Sequence, residues 1–292
     1  MSLRNRLALW NARYVQKPTL AMGLPPVLLR ALFAGSIRAL NWVPRAVVVS
    51  RERLGGVPCR KVVPKGAVSG RVLLLHGGGF VIGGPGAYLP LAGKLAKAAM
   101  VEVWLPDYRL APEHPYPAAP DDVLTAYKAL SKEGPVTVAG DSAGGCLALG
   151  LLHQCVAEGI DGPIGLVLMS PVADLGFEAQ ESMLAGPPDA LLSKKWAYEA
   201  VLSYASGADR ADPVMSPLAA PFADAPPSLV QSAAGEALSP QIEATVSALR
   251  AAGAEVEVEI FEDTFHAFQI AALPLADQAI GKIAAFIKRL QH

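Results

Sequence analysis

Short apolar runs and longer helical segments alternate along most of the chain. Such runs are typical of strands that are buried on both faces of a sheet. The last run differs, because charged and apolar residues alternate over residues 255–261, as expected for a half-exposed strand. Since no linker interrupts the alternation, the pattern predicts one α/β domain over residues 1–292 with a mostly parallel sheet. The buried strands are predicted at residues 71–75, 136–139, 164–169 and 228–232.

The strand at 136–139 leads directly into Gly140-Asp141-Ser142-Ala143-Gly144, and a small-residue helix is predicted to follow. A serine bracketed by glycines between a strand and a helix has the G-x-S-x-G pattern of a nucleophile elbow. We expect any side chain two positions before or after the serine to collide with the neighbouring strand or helix. The N-terminus of the following helix directs backbone N–H groups at the serine, where they stabilise negative charge. Ser142 is therefore a candidate nucleophile.

Two other segments have the chemistry that a nucleophilic serine needs. The strand at 71–75 runs into His76-Gly77-Gly78-Gly79-Phe80, and such a loop can turn its N–H groups into an oxyanion hole. The alternative is a plain glycine turn, in which His76 holds the loop by hydrogen bonds. His266 follows the last predicted strand, which gives the chain order serine, acid, histidine of an α/β hydrolase.

These segments resemble the hormone-sensitive-lipase family of carboxylesterases. The resemblance lies in HGGGF at residues 76–80, DYRLAPEHPYPA at 107–118 and GDSAGG at 140–145, and it extends to the loop of His266. It implies an α/β-hydrolase fold, with a mostly parallel eight-stranded sheet flanked by helices and a helical cap. It also implies Ser142 as nucleophile, His266 as general base, and an oxyanion hole made by the N–H groups of Gly78, Gly79 and Ala143. No metal or organic cofactor is implied.

The acid of the predicted triad departs from the family pattern. The family has an aspartate followed by Pro-Leu, whereas the corresponding stretch here is Gly235-Glu236-Ala237-Leu238-Ser239-Pro240. The acid belongs on the loop after the penultimate strand, and Glu236 is the only carboxylate on that loop. A glutamate can accept the Nδ1–H of the histidine as an aspartate does. Glu236 is therefore our prediction, and Asp263, which we expect to brace the loop of His266, is the alternative. Ser239 is predicted to cap the next helix.

Two regions are predicted to control access to the serine. Residues 1 to about 40 include an amphipathic segment, and an insertion from about 174 to 211 contains Gly186-Pro187-Pro188 and a predicted helix at 193–204. In the family such segments form a cap that limits the acyl pocket, so the resemblance implies esters of short to medium acyl chains as substrates.

Composition excludes several other classes of protein. The net charge is −1, and without a basic stripe it predicts binding neither to nucleic acid nor to an anionic membrane surface. No stretch of apolar residues is long enough for a transmembrane helix, so we expect no stable membrane insertion. Residues 18–29 are apolar enough to resemble a signal peptide, but Pro18, Pro25 and Pro26 and the wide spread of the preceding basic residues argue against one, so we expect a cytoplasmic protein. The three cysteines have no metal-ligand spacing, and those on the nucleophile helix are expected to be buried. The sequence leaves the choice between a monomer and a homodimer open.

Two other functions share this sequence pattern. Plant gibberellin receptors have the same fold and glycine loop but bind a hormone without hydrolysis, and in them the catalytic histidine is replaced. His266 therefore favours the enzyme over a receptor. An amidase or peptidase with the same triad is the second alternative, and it differs in needing stronger protonation of the leaving amine.

Overall fold

The computed structural model describes residues 3–40, 42–185 and 189–291. Gly186, Pro187 and Pro188 of the predicted insertion, together with residues 1 and 2, lie outside the described residues. The predicted, mostly parallel eight-stranded sheet is confirmed: the strands pair in the order β1-β2-β4-β3-β5-β6-β7-β8, antiparallel between β1, β2 and β4 and parallel elsewhere. The strands are β1 Val47–Leu54, β2 Val57–Pro64, β3 Arg71–Leu75, β4 Glu102–Pro106, β5 Val136–Asp141, β6 Gly165–Met169, β7 Ser228–Ala233 and β8 Val256–Phe261.

Helices cover both faces of this sheet. Leu73 and Leu75 of β3 belong to a core cluster that contains residues of α5, α6 and α9, whereas Val72 and Leu74 belong to a second cluster with α4 and α10. This alternation follows from the period of two in a strand, and it explains why the central strands carry apolar residues on both faces. The helices are α1 Leu3–Asn11, α2 Lys17–Ala21, α3 Pro26–Leu40, α4 Pro85–Ala99, α5 Ala118–Ser131, α6 Ala143–Glu158, α7 Phe177–Ala185, α8 Lys194–Ala205, α9 Ser239–Ala251 and α10 Pro274–Arg289.

One local prediction is wrong. Ser239 does not cap α9, because it is the first helical residue and Leu238 occupies the capping position. The hydroxyl of Ser239 instead donates a hydrogen bond of 2.8 Å to the carbonyl oxygen of Glu236. Its hydrogen-bonding capacity is thus used to fix the loop of the predicted acid. The inward stripe of Ile242, Val246 and Leu249 on the same helix is buried, as predicted.

The predicted insertion contains α7 and α8, and Ser193 caps α8 by accepting a hydrogen bond from the N–H group of Trp196. Helix α2 packs against α8, while α1 packs against α10. The N-terminal helices therefore contact both the insertion and the main body. Among the described residues, no helix combines the length and the apolar character needed to cross a bilayer.

Candidate active site

Ser142 lies between β5 and α6 in a strained backbone conformation, with φ 51° and ψ −117°. The expected glycine requirement is confirmed on both sides. A Cβ atom at Gly144 would lie 2.1 Å from the carbonyl oxygen of Leu75 in β3, and one at Gly140 would lie 2.3 Å from the carbonyl oxygen of Gly144. The strained turn persists because its neighbours fix it: the Ser142 N–H group donates to Met169 O at 3.0 Å, and Ser142 O accepts from Val172 N at 3.1 Å.

The glycine loop lies beside this turn. Gly78 and Gly79 both have positive φ values, 116° and 59°, and Gly78 O accepts the N–H groups of Val81 and Ile82 in a tight turn. Outside regular helices and strands, the described residues offer no acceptor to the N–H groups of Gly78, Gly79 or Ala143. These are the three N–H groups that the family resemblance implies for an oxyanion hole.

A buried polar cluster lies beneath the glycine loop. The Asp141 carboxylate accepts hydrogen bonds from the Gly77 N–H group at 2.8 Å and from the Tyr88 hydroxyl at 2.9 Å. Burial raises the pKa of Asp141 to about 6, against the opposing effects of its hydrogen bonds and of His266. Asp141 directly precedes the proposed nucleophile, and its side chain binds the start of the glycine loop. These hydrogen bonds are those that a bracing role requires.

His76 is fully buried in the same cluster. Its ring stacks on Tyr108 with 4.2 Å between centroids, and burial lowers its pKa to about 4. His76 is therefore neutral over the physiological range. Its position under the loop favours a structural role for His76 over a chemical one.

The structure brings His266 and Glu236 together. Nδ1 of His266 lies 2.7 Å from Oε2 of Glu236, and Oε1 of Glu236 accepts the Ala233 N–H group at 3.2 Å. Burial lowers the pKa of His266, but the hydrogen bond and charge of Glu236, with smaller effects of Asp189 and Asp141, outweigh it and raise the pKa above its usual value. A carboxylate held in this way fixes the tautomer with Nδ1 protonated, which leaves Nε2 as the basic nitrogen.

The His266 loop is anchored next to the elbow. The Ala267 N–H group donates to the Ser170 hydroxyl at 3.3 Å, and Ser170 directly follows β6, the neighbour of the strand that ends at Asp141. Asp263 has φ 56° at the turn into this loop, and its side chain is exposed. None of the hydrogen bonds or ion pairs within the described residues involves the Asp263 side chain, whereas Glu236 is buried against the ring.

Asp189 was not identified from the sequence. It is buried, and its Oδ1 accepts the N–H groups of Leu191 and Leu192 while Oδ2 accepts that of Ala237. Its carbonyl oxygen accepts a hydrogen bond from Lys17 Nζ at 2.6 Å. Asp189 therefore ties the insertion to the Glu236 loop and to the N-terminal helices. No local motif marks this role, because the two partners outside its own loop, Ala237 and Lys17, are distant in sequence.

A narrow cavity opens at Ser142. It measures about 40 Å³ on a scale in which one water molecule needs about 10–15 Å³. Apart from Ser142 and Gln180, apolar side chains dominate its lining, and Trp196 of α8 lies directly against Gly79. A larger open groove of about 340 Å³ beside His153 and Phe222 includes none of the predicted site residues, so its size does not make it the reaction site.

The remaining candidates have structural surroundings. Arg109 pairs with Asp122 through two nitrogen atoms, and all three cysteines are buried and free, which confirms the expectation for Cys146 and Cys155. Within the described part of the chain, no three His, Cys, Asp or Glu side chains converge as a metal site would require.

Comparison with known proteins identifies the class of protein. The profile of a family described as having the alpha/beta hydrolase fold matches residues 72–270. The chain belongs to the α/β-hydrolase family and, within it, to the hormone-sensitive-lipase group of esterases.

Individual relatives agree with this assignment. An acetyl-hydrolase of Streptomyces hygroscopicus is 32% identical over 277 residues, covering 85% of this chain and 93% of that protein. An esterase of Acinetobacter venetianus is 30% identical over 276 residues, covering 92% of this chain and 91% of the relative. The crystal structure of a hormone-sensitive lipase from a metagenome library has a TM-score of 0.90 and 32% identity, covering 100% of this chain and 99% of the other. The protein is an enzyme of the carboxylic ester hydrolase class.

Proposed function

We propose that the protein is a serine carboxylesterase in which Ser142, His266 and Glu236 form the catalytic triad. The observation that supports this most strongly is the buried pair of His266 and Glu236, in which Nδ1 of His266 lies 2.7 Å from Oε2 of Glu236. The loop that carries His266 is anchored next to the elbow. The N–H groups of Gly78, Gly79 and Ala143 form the oxyanion hole in this proposal. Ala143 is the first residue of α6, so its N–H group adds the favourable end of a helix dipole.

The proposed reaction has two halves. His266 Nε2 takes the proton of the Ser142 hydroxyl as the oxygen attacks the ester carbonyl, and the three N–H groups hold the resulting oxyanion. His266 then protonates the leaving alcohol, and an acyl-enzyme remains. Water, activated by the same nitrogen, attacks the acyl carbon and releases the acid and Ser142. Glu236 stays ionised throughout and stabilises the imidazolium form of His266.

The proposed substrates are esters of short to medium acyl chains. The cavity beside Ser142 holds the volume of about three water molecules, and Trp196, Met183 and Leu192 close it. The Streptomyces relative is named an acetyl-hydrolase, which agrees with a small acyl group.

We further propose that residues 1 to about 40 and about 174–211 act as a cap on the single domain 1–292. Tyr204 of α8 stacks on Phe80 of the glycine loop with 3.8 Å between ring centroids, and Lys17 reaches Asp189. Both segments thus contact elements that surround Ser142. A location in the cytoplasm stays a prediction.

The test is hydrolysis of aryl esters of increasing acyl length, with one aryl amide, by the wild type and the Ser142→Ala variant. We expect Ser142→Ala to lose at least about a thousandfold in kcat, as triad variants do, without loss of folding. Ser247→Ala, on the exposed face of α9, is the matched control and should keep full activity.

Residual activity of Ser142→Ala near that of the control would require another nucleophile. A wild type that binds esters but hydrolyses none would favour a receptor, and faster cleavage of the amide than of the matched ester would favour an amidase.

A further inference from the structure

The first helix exposes a row of large apolar side chains. Leu3, Leu7, Trp10 and Tyr14 are 70%, 58%, 56% and 59% exposed. Leu3, Leu7 and Trp10 lie on α1 with a spacing that places them within about 60° of one helix face. Tyr14 lies in the π-helical turn Ala12–Gln16 that directly follows α1, and its ring is 5.7 Å from that of Trp10 between centroids. We call these four residues the N-terminal stripe.

The stripe is not needed to attach the helix to the protein. That task falls to another face, on which Ala8, Leu9 and Ala12 pack against the cluster of Phe265 and Phe268. The helix therefore has two apolar faces, and only one of them is covered. An exposed apolar surface of aromatic and leucine residues marks a site of interaction.

The charge around the stripe is of one sign. The first 51 residues contain eight Lys or Arg residues and no Asp or Glu, so the remaining chain has 17 basic against 26 acidic residues. Arg4, Arg6 and Arg13 are exposed beside the stripe. The whole-chain net charge of −1 conceals this separation.

We propose that the N-terminal stripe and its arginines bind the surface of an anionic lipid bilayer. Leu and Trp side chains insert to the depth of the headgroups in such helices, and each cationic side chain near the surface strengthens binding about fivefold. A second copy of the chain fits less well, because a symmetric contact would place two positively charged stripes together. Binding is peripheral, since no described helix is able to span the bilayer.

This surface adjoins the proposed cap. Helix α2 continues from the stripe region and packs against α8, and Lys17 bonds to Asp189 beside the Glu236 loop. Adsorption through the stripe would hold the enzyme by its cap side, close to esters that partition into the bilayer. The inference goes beyond the proposed hydrolysis and does not depend on it.

The test is co-sedimentation of the full-length protein with two kinds of vesicle, phosphatidylcholine alone and phosphatidylcholine mixed with phosphatidylglycerol. Three variants are compared with the wild type: Leu7→Ser with Trp10→Ser, Arg6→Glu with Arg13→Glu, and the control Ile260→Ser. Ile260 is also a large exposed apolar residue, 64% exposed, but it lies in the acidic strand β8. Far-UV circular dichroism checks that every variant is folded.

We expect the wild type and Ile260→Ser to bind the mixed vesicles, with binding lost at high salt, and to bind phosphatidylcholine at least about tenfold more weakly. Each double variant should bind the mixed vesicles at least about tenfold more weakly than the wild type. Absence of wild-type binding, or equal loss in Ile260→Ser, would overturn the proposal. A dimer that Leu7→Ser with Trp10→Ser dissolves, without vesicle binding, would assign the stripe to a second copy instead.

Discussion

The elbow at residues 140–144 and the N-terminal stripe both depart from an ordinary protein surface or core, but in opposite ways. At the elbow, small residues bring three backbone elements together so closely that a single added Cβ would collide with a carbonyl oxygen. At the stripe, large residues extend away from the protein and touch little of it. The first arrangement creates a rigid site from backbone groups, and the second provides contact area for something outside the chain.

The difference explains why a site built from backbone groups can be predicted from the sequence, whereas an exposed binding surface cannot. Backbone chemistry requires glycines at fixed positions, so it gives short motifs that are recognisable on their own. A binding surface depends on which face of a helix is covered, and sequence alone does not reveal that. Three measurements test the site around the elbow: the kcat of Glu236→Gln, the acyl-chain preference of Trp196→Leu, and the pH profile of kcat/KM. The two variants are taken in order of decreasing expected effect.

The largest effect is expected at the proposed triad acid. Glu236→Gln should lower kcat by about a hundredfold to ten-thousandfold, because the amide presents its NH₂ group to Nδ1 and favours the wrong tautomer. The amide oxygen can still accept the Ala233 N–H group, so the loop should keep its fold. Steady-state kinetics at one pH measure the change.

Asp263→Asn is the matched control for that variant, since Asp263 is exposed and forms no side-chain hydrogen bond among the described residues. It should change kcat only modestly. A severe loss in Asp263→Asn together with a mild one in Glu236→Gln would reassign the acid.

A smaller effect is expected at the cavity wall. Trp196→Leu shortens the side chain that packs on Gly79 and lines the cavity, so longer acyl chains should fit better. The ratio of kcat/KM for octanoate to that for acetate aryl esters should rise about tenfold, the discrimination that one or two methylene groups give. Leu202→Ala, at an exposed position of the same helix, should leave the ratio unchanged. An unchanged ratio in Trp196→Leu would place the acyl chain elsewhere.

The sequence predicts the sheet well, because the signals of its strands are local. Strand β3 coincides with the apolar run at 71–75, and Glu236 lies on the loop where topology requires an acid. Ser239 shows the limit of this reasoning: its pattern indicates a helix cap, but its hydroxyl bonds to the Glu236 carbonyl instead. Asp189 and the stripe escape prediction for one reason, since the roles of both depend on contacts between segments distant in the chain.

The pH profile of kcat/KM tests the proposed pairing of Glu236 and His266 most directly. His266 must be neutral to accept the serine proton, so activity should rise with pH through its pKa. In the wild type the midpoint should lie above 6.5, because Glu236 outweighs burial. In Glu236→Gln the burial that lowers the pKa of His266 remains, but the carboxylate charge that raises this pKa is gone, so the midpoint should move to lower pH. Asp263→Asn should keep the wild-type midpoint. An identical midpoint in Glu236→Gln would contradict the account and would attribute the titration to another group, such as the buried Asp141.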